Sequence, residues 1–140
     1  MKNVLSLIVL LFVAFISCKK DDEKASVTLT SRTWKRASVD RNTSTNPAIN
    51  VLYYASQDFE KDDTFKFGTD GKLTINRGAL KSSVDQQQIE VQNYTFVSAT
   101  QQLTINGEKF TLAEQSKTQL KYYATLPNAT GNQYLIFIFE

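Results

Sequence analysis

The stretch DTFKFGTDGKLTIN, residues 63–76, decides the fold that is predicted for this chain. Phe65 and Phe67 alternate with polar residues, and Leu73 and Ile75 do the same after the turn Gly-Thr-Asp-Gly. A period of two is typical of a strand with one buried face, and glycine suits the positive φ of a tight turn. The stretch therefore predicts a β-hairpin.

The same alternation recurs on both sides of this hairpin. Further strands are predicted at residues 31–40, 88–97, 102–106, 109–113, 118–126 and 133–139. Asn106-Gly107 is a strong hairpin signal, and the segment 127–131 closes another strand pair. The apolar residues of strand 88–97 change parity near Gln92-Asn93, which predicts a bulge. The last strand is apolar on both faces, as a strand covered on both sides would be.

Together these segments predict an all-β fold, an antiparallel meander that closes into a roughly eight-stranded barrel. Residues 49–59 are the exception, because they fit either a ninth strand or a short helix. The partial helical stripe of Val51, Leu52, Tyr54, Ala55 and Phe59 favours a short helix under one end of the barrel.

The N-terminal region predicts an export signal over residues 1–17. Lys2 precedes residues 4–16, thirteen residues with a single polar member. That length is typical of a signal peptide and falls short of the ~20 residues that span a bilayer. A buried core helix is the alternative, but charged residues follow the segment at once.

The boundary Phe15-Ile16-Ser17-Cys18 resembles the lipobox of bacterial lipoproteins. The resemblance implies that Cys18 becomes the first residue of the mature protein and carries acyl chains such as palmitate, which hold it to a membrane. The alternative is an ordinary cleavage site beside a stray thiol.

The charged segment 19–24 follows Cys18, and residues 18–28 are interpreted as a tether. The Lys and acidic run also resembles the signal that sends lipoproteins of the Bacteroidetes to the outer face of the outer membrane. We therefore expect an outer-membrane lipoprotein of the cell envelope, with a plain spacer as the equally weighted alternative.

Composition excludes several functions. The chain has no histidine and its single cysteine is Cys18, which removes Ser-His-Asp and Cys-His nucleophiles, the common zinc sites and any disulfide framework. Sixteen Lys and Arg against fourteen Asp and Glu give no basic excess for nucleic acid. We predict a protein that is not an enzyme and has no cofactor, no metal and no nucleic-acid partner.

Acidic residues gather just before the deciding hairpin, at Asp58, Glu60, Asp62 and Asp63. They could hold Ca²⁺, but they lack the ligand spacing and the glycine of an EF-hand loop. A solvated turn that leads into a strand is the favoured interpretation.

Four aromatic residues are candidates to line a ligand cavity or to form a binding surface: Trp34, Tyr94, Tyr122 and Tyr123. Neighbouring strand residues face opposite sides, so one of Tyr122 and Tyr123 points inward. Trp34 could stack with Arg36 or plug one end of the barrel, and we favour the plug. The competing view is that side chains fill the interior of a small barrel.

The early Trp34, the segment 63–71 and the series of short hairpins resemble the lipocalin-like lipoproteins of the Bacteroidetes over residues 29–140. The Gly-x-Trp of true lipocalins is absent, since Ser31-Arg32-Thr33 precede Trp34. The resemblance implies an eight-stranded barrel with room for a small molecule.

Two functions follow as hypotheses. The first is a lipid-anchored protein, with Cys18 in the membrane, whose barrel binds a small apolar or amphipathic molecule. The second is a surface interaction module for a glycan or a partner protein, with a filled barrel. An open interior would favour the first hypothesis, and exposed aromatic residues over a filled core would favour the second.

Overall fold

A computed structural model describes residues 29–129 and 131–140 of the chain. The predicted signal and tether, with Cys18, lie outside the described residues. The strands are β1 Thr33–Lys35, β2 Val51–Tyr53, β3 Thr64–Phe67, β4 Lys72–Asn76, β5 Ile89–Val97, β6 Gln102–Ile105, β7 Glu108–Gln115, β8 Leu120–Asn128 and β9 Gly131–Phe139.

The all-β prediction is confirmed. The nine strands form one sheet in the order β1-β3-β4-β5-β6-β7-β8-β9-β2, and this sheet curls around its core as a half-barrel. Its neighbouring strands are antiparallel except β2, which runs parallel to β9. The predicted hairpin at 63–76 is present, with Phe65 opposite Ile75 and Phe67 opposite Leu73.

The first strand is shorter than predicted but contacts both ends of the meander. Trp34 pairs with Phe65 of β3 on one side. On the other side, the backbones of Lys35 and Glu140 exchange two hydrogen bonds of 2.9 Å each, and the Ala37 amide donates to the Ile138 carbonyl at 2.9 Å. The strand predicted over residues 31–40 thus ends where its backbone leaves β3.

The favoured helix over residues 49–59 is wrong, and the alternative of an extra strand is confirmed. Val51–Tyr53 pairs with residues 134–136 of β9, and only Asp58–Glu60 forms a single 3-10 turn there. The edge of β9 offers backbone groups that need partners, because Tyr134 donates to Asn50 and Tyr54 donates to Ile136. A strand at this edge satisfies those groups, whereas a helix would leave them unpaired.

The predicted bulge in β5 is also wrong. The strand alternates without a break, so Ile89 and Val91 are 47 % and 58 % exposed on the outer face while Tyr94 and Phe96 face inward. The parity change in the sequence arises because the inward positions before Tyr94 carry polar side chains, Glu90 and Gln92. Gln92 borders the cavity described below, and Glu90 pairs with Arg77 of its wall.

The turns follow the sequence. Gly71, the last residue of the turn between β3 and β4, has a positive φ of 76°. Asn106 and Gly107 have φ 49° and 89°, the left-handed values that a two-residue hairpin requires. The last hairpin closes with Asn128 opposite Gly131.

The core lies inside the curl. Its buried members are Leu29, Trp34, Phe65, Phe67, Leu73, Ile75, Leu103, Ile105, Leu112, Leu120, Tyr122 and Phe139. Trp34 is fully buried, and its indole Nε1 donates to the carbonyl oxygen of Leu29 at 3.0 Å. This bond fastens the 3-10 turn Leu29–Ser31 against the core.

The outer face of β8 and β9 is covered as well, as the apolar last strand predicted. Ile136 and Ile138 are buried on this face, where Lys121 lies opposite Ile138. The fully buried Lys121 ammonium donates to both carboxylate oxygens of Asp40, to the Asn42 carbonyl and to the Asn46 side chain, at 2.6–3.1 Å. A polar loop is thereby held over the sheet.

Candidate functional site

A cavity of about 290 Å³ lies inside the curled sheet. Its wall contains Arg36, Glu60, Phe65, Leu73, Ile75, Arg77, Gln92, Ile105, Asn106, Glu108, Phe110, Tyr122 and Phe137. The apolar members occupy inward positions of β3, β4, β6, β7, β8 and β9, so the same alternation that builds the core also builds this wall. The remaining members of the wall are polar or charged, and small-molecule sites likewise combine apolar surface with polar groups.

Arg36 is the main charged group on this wall. Its guanidinium carbon lies 4.7–5.5 Å from the ring centres of four aromatic residues, Tyr54, Phe65, Phe137 and Phe139. Its Nε and Nη1 atoms are buried without a hydrogen-bond partner, and no carboxylate of the described residues lies within ion-pair distance. The positive charge is thus held by aromatic faces and by the Tyr122 hydroxyl, without a carboxylate partner in the described part of the chain.

The stacking pair of Trp34 with Arg36, weighed from the sequence, is not formed. Arg32 instead lies over the Trp34 ring at 4.9 Å. Trp34 and Arg36 face the same side of β1, but the Arg36 side chain extends toward β9 and Tyr54.

Arg77, in contrast, makes two ion pairs, although its buried Nε has no hydrogen-bond partner among the residues that the structure describes. It binds the Asp63 carboxylate at 2.8 Å and also makes an ion pair with Glu90. Burial by itself would lower the pKa of Arg77, but the hydrogen bonds that its guanidinium donates to Glu90 and Asp63 outweigh burial and raise the pKa. Burial raises the pKa of the fully buried Asp63, and Arg77 offsets part of that rise. The three residues form one ion-pair cluster, in which a single guanidinium bridges two carboxylates.

Glu60 is tied to its own loop. Both of its carboxylate oxygens accept from the Tyr54 hydroxyl, at 3.0 and 2.9 Å, and one accepts from the Gln57 amide at 2.8 Å. Burial raises the pKa of the Tyr54 hydroxyl, and the neighbouring Glu60 carboxylate adds to the rise. Glu60 therefore has its partners within the loop that precedes β3.

The acidic segment 58–63 is not simply the solvated turn that the sequence favoured. Glu60 and Asp63 are buried, because Tyr54 and Arg77 supply their partners. Asp58 pairs with Lys61 at the surface, and an Asp62 oxygen accepts the amides of Ala79 and Leu80. Over the described residues, no three carboxylates converge as a metal site would require.

The four aromatic candidates lie at different places in the fold. Tyr122 lines the cavity, where burial raises the pKa of its hydroxyl to about 12 although the Arg36 guanidinium lowers it in part. Tyr123 lies on the opposite face, edge-on to Tyr134 at 5.4 Å. Tyr94 packs edge-on against Phe67 at 4.9 Å and donates to the Gly68 carbonyl, and Trp34 is enclosed in the core.

The charged wall of the cavity was not identified from the sequence. One signal for Arg36 existed, since it stands two residues after Trp34 and so shares its inward face. No comparable signal marked Arg77, because its role depends on Asp63 and Glu90 meeting it across β3, β4 and β5.

No protein-family model, curated protein or solved structure matches this chain. Within residues 29–129 and 131–140, no helix has the length and apolar character needed to cross a bilayer.

Proposed function

We propose that this chain is an envelope lipoprotein, anchored through acyl chains on Cys18, whose β domain binds a small amphipathic molecule. The observation that carries the binding function is the cavity of about 290 Å³, whose wall combines seven apolar or aromatic residues with six polar or charged ones. Ligand sites of proteins usually measure about 300–1,000 Å³, so this cavity suits a ligand at the small end of that range.

The proposal includes closure of the meander into an eight-stranded barrel, with β2 as an added strand outside the ring. The hydrogen bonds of Lys35 and Ala37 to the end of β9 support this closure, because β1 is also paired with β3. A closed ring removes sheet edges and leaves the ends of the barrel as the routes to its interior.

A neutral amphipathic molecule tests the binding function, because its affinity does not depend on pairing with a charged residue. The full chain is reconstituted in phosphatidylcholine nanodiscs and titrated with 4-phenylbutanol by calorimetry, and empty nanodiscs supply the background. We expect saturable binding by the protein. Gln92→Trp should abolish it, because Gln92 lines the cavity and the larger ring would occupy that space.

The matched control is Gln102→Trp, a change of the same kind at an exposed position of β6. It should leave the affinity unchanged. If the parent chain does not bind 4-phenylbutanol, or if both variants lose binding equally, the cavity is not a ligand site. Such a result would favour the surface interaction hypothesis, in which the outward face of the sheet binds a glycan or a partner protein.

A further inference from the structure

Arg36 lacks the partner that a buried charge ordinarily has. Charged groups removed from water are normally paired, because an uncompensated charge in a low-dielectric site is strongly unfavourable. Among the described residues, Lys121 has Asp40 and Arg77 has Asp63, while Arg36 has aromatic rings and the hydroxyl of Tyr122. Arg36 is also one of the residues that line the cavity.

We propose that the molecule bound in this cavity is a monocarboxylate with a compact aromatic or short apolar body, and that its carboxylate pairs with Arg36. This assignment rests on the proposed function. Guanidinium and carboxylate match in geometry as well as in charge, and their hydrogen bonds are among the strong ones in proteins. The rings of Phe65, Phe110 and Phe137 supply the wall against which an apolar body packs.

The other charges at the cavity favour a single negative charge on the ligand. Glu60 accepts hydrogen bonds from Tyr54 and Gln57, and Arg77 already binds the carboxylates of Asp63 and Glu90. Glu108 is exposed, so water screens it from the cavity. Of the two cations on the described wall, Arg77 already binds two carboxylates and Arg36 binds none, so one carboxylate would match Arg36, whereas a dianion such as a phosphate monoester would bring more negative charge than this single cation compensates.

The size of the cavity limits the body of the ligand. A volume of about 290 Å³ equals the liquid volume of about ten water molecules. This room accommodates one aromatic ring with a short chain. A long acyl chain would have to extend out of the cavity into solvent, where its methylene groups gain nothing from burial.

Three probes of the same size test the assignment: 4-phenylbutyrate, 4-phenylbutanol and 4-phenylbutylamine. Each is titrated into the full chain in phosphatidylcholine nanodiscs at pH 7. We expect the carboxylate to bind about tenfold tighter than the alcohol, since it adds a charge-assisted pair, and the amine to bind more weakly than either.

Variants locate the effect at Arg36. Arg36→Gln should remove the preference for the carboxylate over the alcohol, while Arg36→Lys should retain part of it. Arg32→Gln is the matched control, because Arg32 also lies over an aromatic ring but outside the cavity wall. Circular dichroism verifies that each variant is folded.

The outcomes separate this assignment from the function on which it rests. Alcohol and carboxylate binding with equal affinity, or an amine that binds as well as the acid, overturns the carboxylate assignment and leaves the binding function standing. The same holds if the preference survives in Arg36→Gln. Binding of none of the three probes overturns the binding function itself.

Discussion

At the scale of single residues, the domain contains three internal cations in three different settings. Lys121 is surrounded by oxygen atoms, Arg77 bridges two carboxylates, and Arg36 lies among aromatic rings. The first two settings compensate the charge within the protein, so these residues are structural. Of these three cations, Arg36 alone has no carboxylate partner among the described residues of the protein. Arg36 is therefore the residue that points to a ligand.

Arg77→Met should destabilise the domain by about 3–5 kcal/mol, because it leaves the fully buried Asp63 carboxylate without its partner. Arg41→Met is the matched control. The side chains of Arg41 and Glu140 are each 51 % exposed, so losing that ion pair should change stability by less than about 1 kcal/mol. Urea unfolding of both variants measures the difference, and equal losses would contradict the structural role of Arg77.

The Asp40 carboxyl predicts a loss of stability in acid. Burial by itself would raise its pKa, but hydrogen bonds from the Asn42 amide, Asn46, Lys121 and Tyr53 outweigh burial and hold the pKa at about 2, below the ordinary 3.8. A depressed pKa stabilises the fold above the unfolded-state value. That stabilisation is lost as the pH falls through the folded-state value.

Between pH 5 and pH 2 the parent should therefore lose about 2 kcal/mol more than Asp40→Asn does, since one pKa unit corresponds to about 1.4 kcal/mol. Urea unfolding at both pH values measures this difference between the two proteins. The other carboxyl groups are common to both and cancel. Parallel pH profiles would show that Asp40 does not retain its charge in the folded state.

At the scale of elements, short hairpins set the order of the sheet, and their turns depend on residues that tolerate a positive φ. Asn106-Gly107 joins β6 to β7, and Gly71 ends the turn between β3 and β4. The turn chemistry fixes which residues pair, and the pairing then decides which side chains face the cavity. A change at a turn therefore acts on the wall of the site through register.

Gly107→Ala should cost about 1 kcal/mol of folding free energy, because φ 89° is unfavourable for a residue with a Cβ atom. The added carbon would meet no atom within 4 Å, so the penalty comes from backbone conformation rather than from a clash. Gly107→Asn should lose less, since asparagine tolerates left-handed conformations. Thermal unfolding ranks the three proteins, and an alanine variant as stable as the parent would rule out this origin.

At the scale of the whole molecule, β1 connects the two ends of the meander. It pairs with β3 on one edge and donates to β9 on the other, so its amides report on closure. The amides of Lys35, Ala37 and Glu140 should exchange with solvent as slowly as those inside the β8–β9 pair. Hydrogen exchange followed by NMR measures this, and fast exchange at these three amides would show an open sheet.

The proposed anchor is a property of the whole chain as well. Cys18→Ser should move the protein from the membrane fraction to the soluble fraction, because the acyl chains would have no attachment site. Ser26→Ala, in the predicted tether, is the matched control and should remain with the membrane. Fractionation with immunodetection gives the result, and a Cys18→Ser variant that stays in the membrane would contradict the lipoprotein proposal.

The sequence by itself determined the class of the fold, most strand positions and the tight turns. Period-two alternation and Asn-Gly or Asp-Gly turns are local signals, and they reflect the burial of one face and the φ of single residues. The predicted strand 72–76 therefore matches β4 residue for residue. The predicted inward and outward split of Tyr122 and Tyr123 is local in the same sense.

Only the tertiary structure decided the features that depend on distant partners. Val51–Tyr53 is a strand because it pairs with the edge of β9. Ile89 and Val91 face outward, whereas Glu90 between them faces inward and pairs with Arg77. The charged wall of the cavity belongs to this group, since residues 36, 60 and 77 meet there from separate segments. Long-range pairing of backbone edges and compensation of buried charge are decided between segments, and so no local pattern contains them.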